Sequence, residues 1–274
     1  MSVQAPIGVF DSGLGGLTIL KEMVKVLPEH DFIYLGDNAR APYGPRDFDT
    51  VYQYTLEAVK WLFDQGCPLV ILACNTASAK ALRNIQQKDL PLLDSTKRVL
   101  GVIRPTTEVI GDYTETNHIG ILGTKGTVES GSYVIEIQKS FPDVTIYQQA
   151  CPSWVDLVES GYYQSSNADA KVQECLQQLL DQCEGIDTIL LGCTHYPLLL
   201  PTIKKYVHPA VQVISQGEIV AESLVFYLQR HPEMAKRLSK TAQIDFFTTG
   251  DTEKFRHAAG AFWGAEVPAK QAFI

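Results

Sequence analysis

LVILACNTAS, residues 69–78, decides the fold. Val70 to Ala73 are apolar at every position, so the alternation of a half-exposed strand is absent. That pattern predicts a central parallel strand covered by helices on both faces. Cys74 follows at its carboxyl end, where open α/β sheets bind ligands. Asn75 and Thr76 can cap a helix over residues 77–87, whose free amides would stabilise a thiolate or an anionic ligand. A buried structural cysteine fits the same residues, because free cysteine is among the most buried residue types. The phrase recurs, however, as TILLGCTH at residues 188–195, with Cys193 again at the end of an apolar run and Thr194 behind it. Two similar phrases predict two similar half-sites.

Outward from this stretch, residues 7–10 read as a first strand, and Asp11-Ser12-Gly13-Leu14-Gly15-Gly16 as a turn into a helix ending near Pro28. The turn lacks the G-x-G-x-x-G spacing of a dinucleotide site, so no nucleotide cofactor is expected. Asp11 and Ser12 could both be helix caps, while a carboxylate at a strand end, Asp11, is also a candidate proton handler or thiol orienter. Residues 31–35 form a second strand, GDNARAPYGPR a loop too long for a simple turn, and residues 48–63 a helix closed by Gly66. A fresh strand over residues 99–103 is broken by Arg104-Pro105, and a domain boundary is placed there. Strands at 118–122 and 144–148, helices at 128–140 and 167–182, and the second cysteine strand then repeat the opening of the chain. Ile119 lies 112 residues after Ile7, Tyr147 113 after Tyr34, and Cys193 119 after Cys74, offsets that indicate an internal duplication. Residues 211–214 read as a strand, 218–230 as a helix, 244–248 as a strand and 251–262 as a helix, with a tail after Trp263 that packs or frays.

The expected architecture is therefore α/β, with two pseudo-symmetric domains, each a mostly parallel sheet flanked by helices, and an active site in the cleft between them. The first domain comprises residues 1–98 plus 211–274 and carries Cys74. The second comprises residues 99–210 and carries Cys193.

With 274 residues, 45% hydrophobic and 20% charged, the chain is globular rather than disordered. A net charge of -8 without a basic cluster predicts neither a nucleic-acid groove nor a membrane-facing stripe. The start MSVQAPIGVF has neither the charge nor the apolar run of a signal peptide, and a cytoplasmic location is expected. The six cysteines show no CxxC spacing, so all are expected as thiols and no metal site is expected.

Thiols on opposite sides of a cleft suit proton exchange at carbon. One base removes a proton from one face while an acid returns one to the other. Cysteine suits both roles because its ordinary pKa of about 8.5 keeps thiolate and thiol within reach of neutrality.

Six stretches carry a resemblance across nearly the whole chain: FDSGLGGLT at 10–18, GDNARAPYG at 36–44, ACNTASA at 73–79, GTKGTVESGSY at 123–133, ACPSWVDLVESG at 150–161 and LGCTHYPLL at 191–199. Together, in this order, they resemble the cofactor-independent aspartate/glutamate racemase superfamily, and most closely its glutamate branch. The resemblance implies Cys74 and Cys193 as the two acid/base residues, Asp11 assisting the first, and His195 with Glu159 assisting the second. It also implies that Ser12, Pro42, Tyr43, Gly44, Asn75, Thr76, Thr124, Thr127 and Thr194, with Asp11 and His195, hold the substrate's carboxylates and ammonium. L- and D-glutamate would be interconverted without cofactor by a homodimer, and D-glutamate would feed peptidoglycan synthesis. His195 could instead cap the helix after Pro197, and Glu159 could be a surface residue. Cys67, Cys151, Cys175 and Cys183 read as structural, and Lys80 as a lysine on a solvated helix face. Arg104 and Ser215-Gln216-Gly217 depart from the family pattern, the latter where an acidic residue is common.

Rival readings are other members of the superfamily acting on aspartate or hydantoins, decarboxylases, or maleate-type isomerases. Outside it stand a thiol hydrolase using Cys193 with His195, which would show an acyl-enzyme burst, and a dicarboxylate-binding protein without turnover.

Overall fold

A computed structural model describes residues 4–274. Met1–Val3, at the start of the polar lead into the first strand, lie outside the described residues. The continuous apolar runs become central strands: β1 (Ile7–Asp11), β2 (Phe32–Gly36) and β3 (Leu69–Leu72) are buried at every position. The other strands are β4 (Arg98–Gly101), β5 (His118–Gly123), β6 (Thr145–Ala150), β7 (Thr188–Gly192), β8 (Gln212–Ile214), β9 (Ile244–Thr248) and β10 (Ala269–Gln271). They form a six-stranded sheet, β10-β9-β2-β1-β3-β4, and a four-stranded sheet, β6-β5-β7-β8. Every strand pair in both is parallel.

The order β2-β1-β3-β4 recurs as β6-β5-β7-β8, so β3 and β7, the two cysteine strands, occupy corresponding places. Sheet membership shifts both crossings away from the positions that the strand pattern predicts. β4 pairs with β3 and belongs to the first sheet, although a second unit starting at Val99 would claim it. β8 pairs with β7 in the second sheet, although a return at residue 211 would assign it to the first. In each unit the last strand before the chain leaves still completes the sheet it is leaving.

Helices follow from local chemistry. Asp47 caps Phe48–Asp64 by accepting from the Thr50 amide, and Val51, Leu56, Val59, Leu62 and Phe63 supply its buried stripe. Each such side chain contributes about 1.5–3 kcal/mol by leaving water. Gly66, at φ +92, closes the segment in the left-handed conformation that glycine tolerates best. Pro105 does not act as a simple strand breaker: β4 ends at Gly101, and Pro105 lies inside the helix Ile103–Thr107. In a first turn its missing N–H has no partner to lose. The tail after Trp263 packs, with β10 extending the sheet beside β9. One apolar core runs from Ile7, Leu17 and Met23 in the first unit to Trp154, Leu191 and Tyr196 in the second. Among the described residues no helix is long and apolar enough to cross a membrane.

Cys151 and Cys175 form a disulfide, with Cα atoms 6.0 Å apart, so the expectation that all six cysteines are thiols fails for this pair. Their 24-residue separation gives no hint that β6 and the helix Ser166–Leu180 bring them together.

Candidate active site

Cys74 lies just beyond β3 and serves as the N-cap of the short helix Asn75–Lys80, its sulfur 3.5 Å from the Ala77 amide. The same sulfur lies 3.5 Å from the Ser12 hydroxyl. Asp11, the last residue of β1, is fully buried and accepts from the Gly13 amide at 2.9 Å. Neither Asp11 nor Ser12 caps the helix Leu17–Val26, which has no side-chain cap. Burial raises the Asp11 carboxyl, against the pull of His195 and the Gly13 amide. Burial also pushes the Cys74 thiol up to about 12; the Asp11 charge adds to this, while Ser12 and the Ala77 amide oppose it. Cys74 is thus a protonated thiol at neutral pH, contrary to the thiolate that its helix start alone suggests.

On the second side, Cys193 follows β7. The His195 ring places Nδ1 3.9 Å from its sulfur and Nε2 2.9 Å from Glu159 Oε1. Phe262 meets this ring edge-on, with centroids 5.4 Å apart. Burial works against a charge on His195, but its bonds to Cys193 and Glu159 outweigh that and raise it to about 10. His195 is therefore an imidazolium at neutral pH. Its side chain makes no helix-capping bond, and Glu159, at the end of the helix Ser153–Glu159, is an exposed residue that nonetheless turns its carboxylate onto the His195 ring.

The two sides meet closely. A Cβ on Gly15 would stand 2.2 Å from Thr194 Oγ1 and 2.5 Å from His195 Nδ1, so this turn needs glycine for space. Thr194 reaches Asp11 at 3.5 Å. Thr76 from the first unit joins Thr124 and Thr127 from the second in a buried hydroxyl triangle of 3.0, 3.4 and 3.0 Å. The Gly126 amide donates to the Gly44 carbonyl at 3.0 Å, tying the loop after β2 to the second unit. Pro42 is exposed beside it, and the Tyr43 hydroxyl bonds Asp37 at 2.5 Å. Lys80 does not point from a solvated face: partly buried, it donates to the Arg46 carbonyl at 2.6 Å. Both thiols and His195 are at most 5% exposed, so the site is closed. A separate cavity of about 560 Å³ lies beside β4, lined by Leu100, Arg104, Val220 and Tyr227.

Residues 7–224 match the Asp/Glu/Hydantoin racemase family. The chain belongs to that family. Membership makes it an isomerase. Relatives include glutamate racemases from Bacillus cereus, 41% identical over 97% of this chain and 96% of the relative, and from Enterococcus faecalis, 42% identical over 97% and 94%. Among solved structures, a Bacillus anthracis glutamate racemase superposes with a TM-score of 0.89 at 33% identity, covering 98% of both chains. A Francisella tularensis glutamate racemase solved in complex with D-glutamate gives 0.85 at 30% identity, covering 99% of this chain and 97% of that one.

Within this racemase scaffold, four side chains that the sequence does not single out for the site support it. Asp37, fully buried, accepts from Tyr43, Arg40 and Thr249 and so holds the loop that carries Gly44. Phe262 backs His195. Tyr133 and Gln216 bond the Asn75 amide. Signals for two of these were present, because Tyr133 closes a family motif and Gln216 marks a departure from one.

Proposed function

We propose that this chain is a glutamate racemase that interconverts L- and D-glutamate without a cofactor. The observation that carries the reading is the pair of thiols at the ends of corresponding strands, β3 and β7, one beside Asp11 and Ser12 and the other beside His195 and Glu159. In one direction, the Cys193 thiolate, facing the His195 imidazolium, takes the α-proton from one face of the substrate. The electron pair left on carbon delocalises into the α-carboxylate, and the Cys74 thiol delivers its proton to the opposite face. The product is the other enantiomer, and the sulfurs have exchanged protonation states. The reverse reaction restores them, or protons pass back through Asp11 and His195.

Thr76, Thr124 and Thr127 offer converging hydroxyls, and Ser12, Asn75, Thr194 and the backbone at Tyr43 and Gly44 offer further polar groups for the carboxylates and ammonium. The strong desolvation that keeps Cys74 protonated supplies an acid without a metal-bound or cofactor-bound proton. The product D-glutamate serves peptidoglycan synthesis in the cytoplasm, and the working unit is a homodimer.

The test is exchange of the α-proton with solvent deuterium, followed by NMR and circular dichroism for L- and D-glutamate separately with no cofactor added. Inversion of both enantiomers with deuterium incorporation, lost in Cys74→Ala and in Cys193→Ala, supports the reading. Exchange with aspartate or a hydantoin but not with glutamate would keep the two-thiol chemistry and overturn the substrate. Full activity in either variant would overturn the chemistry.

A further inference from the structure

Gln216 stands in the loop where the chain departs from the family pattern, 2% exposed, immediately before the helix Gly217–Arg230. Its Nε2 lies 3.2 Å from the Val102 carbonyl, 2.9 Å from Thr106 Oγ1 and 2.8 Å from the Tyr133 hydroxyl. Its Oε1 accepts from Asn75 Nδ2 at 2.7 Å, and Tyr133 donates to Asn75 Oδ1 at 2.5 Å. Asn75, Gln216 and Tyr133 therefore close a buried ring of hydrogen bonds directly behind Cys74.

The direction of that ring is fixed from outside. A main-chain carbonyl can only accept, so the Gln216 nitrogen must face Val102 and its oxygen must face Asn75. Asn75 then presents nitrogen to Gln216 and oxygen to Tyr133, whose single hydrogen is committed there. A flipped amide at either residue would set oxygen against oxygen in a buried site, where an unmet polar group costs most. The contacts also span the fold. Val102 lies where the chain leaves the first sheet, Gln216 where it returns, Asn75 beside the first thiol and Tyr133 in the second unit.

We propose that Gln216 is a positioning residue for racemisation: it sets the orientation of the Asn75 amide, and with it the polar wall beside Cys74. This rests on the reading of the cleft as the racemase site. Gln216 touches no reacting atom and acts through Asn75.

The test is a double-mutant cycle with Gln216→Met and Asn75→Ala, reading kcat and KM for both glutamate enantiomers, with thermal melting to establish folding. Gln216→Met is expected to raise KM about tenfold in the wild-type background and to add less than about threefold when Asn75 is already alanine. Gln216→Glu is the conservative rescue. Its protonated carboxyl keeps one donor toward Val102 and one acceptor toward Asn75, so its KM relative to wild type should be near one at low pH and rise as the carboxyl ionises. Tyr133→Phe, which leaves Gln216 in place, should raise KM in the same direction and covers the case in which the methionine variant fails to fold. Equal costs of Gln216→Met with and without Asn75, or a Gln216→Glu variant whose relative KM is flat with pH, would overturn the proposal. Turnover by the wild type reports on the racemase reading alone, whereas the coupling reports on Gln216.

Discussion

Replacing Gly15 with alanine tests the close approach of the two half-sites. The new methyl would meet Thr194 Oγ1 at 2.2 Å, His195 Nδ1 at 2.5 Å and His195 Cε1 at 2.7 Å. Ordinary contact starts near 3.4 Å, so Thr194 or the turn must retreat by about 1.2 Å. His195 has little room to move, being 4% exposed, bonded to Glu159 and met edge-on by Phe262. Backbone strain is not the cause, because Gly15 is absent from the positive-φ residues. Overpacking of this kind costs about 1–3 kcal/mol of stability. A catalytic group displaced by about 1 Å costs about a hundredfold in rate, which is about 2.7 kcal/mol of activation free energy. Gly13→Ala is the control, since its methyl would meet nothing nearer than the Glu159 carboxylate at 3.1 Å, with Asn38 at 3.5 Å and Ala41 at 3.9 Å. Racemisation would be followed by circular dichroism beside thermal melts. Gly15→Ala should lose about a hundredfold in kcat/KM while remaining folded, and Gly13→Ala less than about tenfold. A Gly15→Ala enzyme within about threefold of wild type would refute the reasoning.

Three further outcomes are expected. His195 is raised in the folded state from its ordinary 6.5 to about 10, so the stability it contributes is complete below pH 6.5 and is lost as pH rises through about 10; melting temperature against pH should show this decline, and Glu159→Gln should flatten it. The Cys151–Cys175 bridge closes a 24-residue separation and should contribute about 3 kcal/mol; the urea midpoint should fall on reduction in the wild type and should not respond to reductant in Cys175→Ser. Asp37→Asn removes a buried charge that accepts from Tyr43, Arg40 and Thr249 and should cost about 2–3 kcal/mol, with a raised KM because the Gly44 loop loses its anchor; an unchanged melting temperature would count against that network.

Much of the frame was legible because it depends on local pattern. Residues 69–72 are apolar throughout and form a strand buried on both faces, and the nearly constant offsets between Ile7, Tyr34 and Cys74 and their counterparts correspond to a repeated strand order. Cys74, Cys193 and Asp11 could be singled out because they sit at strand ends, and His195 because the motif around it resembles the family's. What stayed hidden depends on partners far away in the chain. Gln216 meets Asn75 across 141 residues and Tyr133 meets it across 58, and no periodicity encodes such pairings. The disulfide, the edge strand β10 and the sheet membership of β4 and β8 are likewise settled by which surfaces dock. The charge states were also out of reach, because a cysteine at a helix start suggests a thiolate until burial around Cys74 is known.

The chain crosses between the two units twice, and Gln216 joins the crossings with a 3.2 Å bond to the Val102 carbonyl. A single linker would leave the second unit free to swivel about its own length as well as to bend. Two adjacent linkers remove the swivel and leave one axis, as two hinges do for a door. The same two crossings set one register across the cleft, in which Thr124 and Thr127 meet Thr76 and His195 meets Gly15.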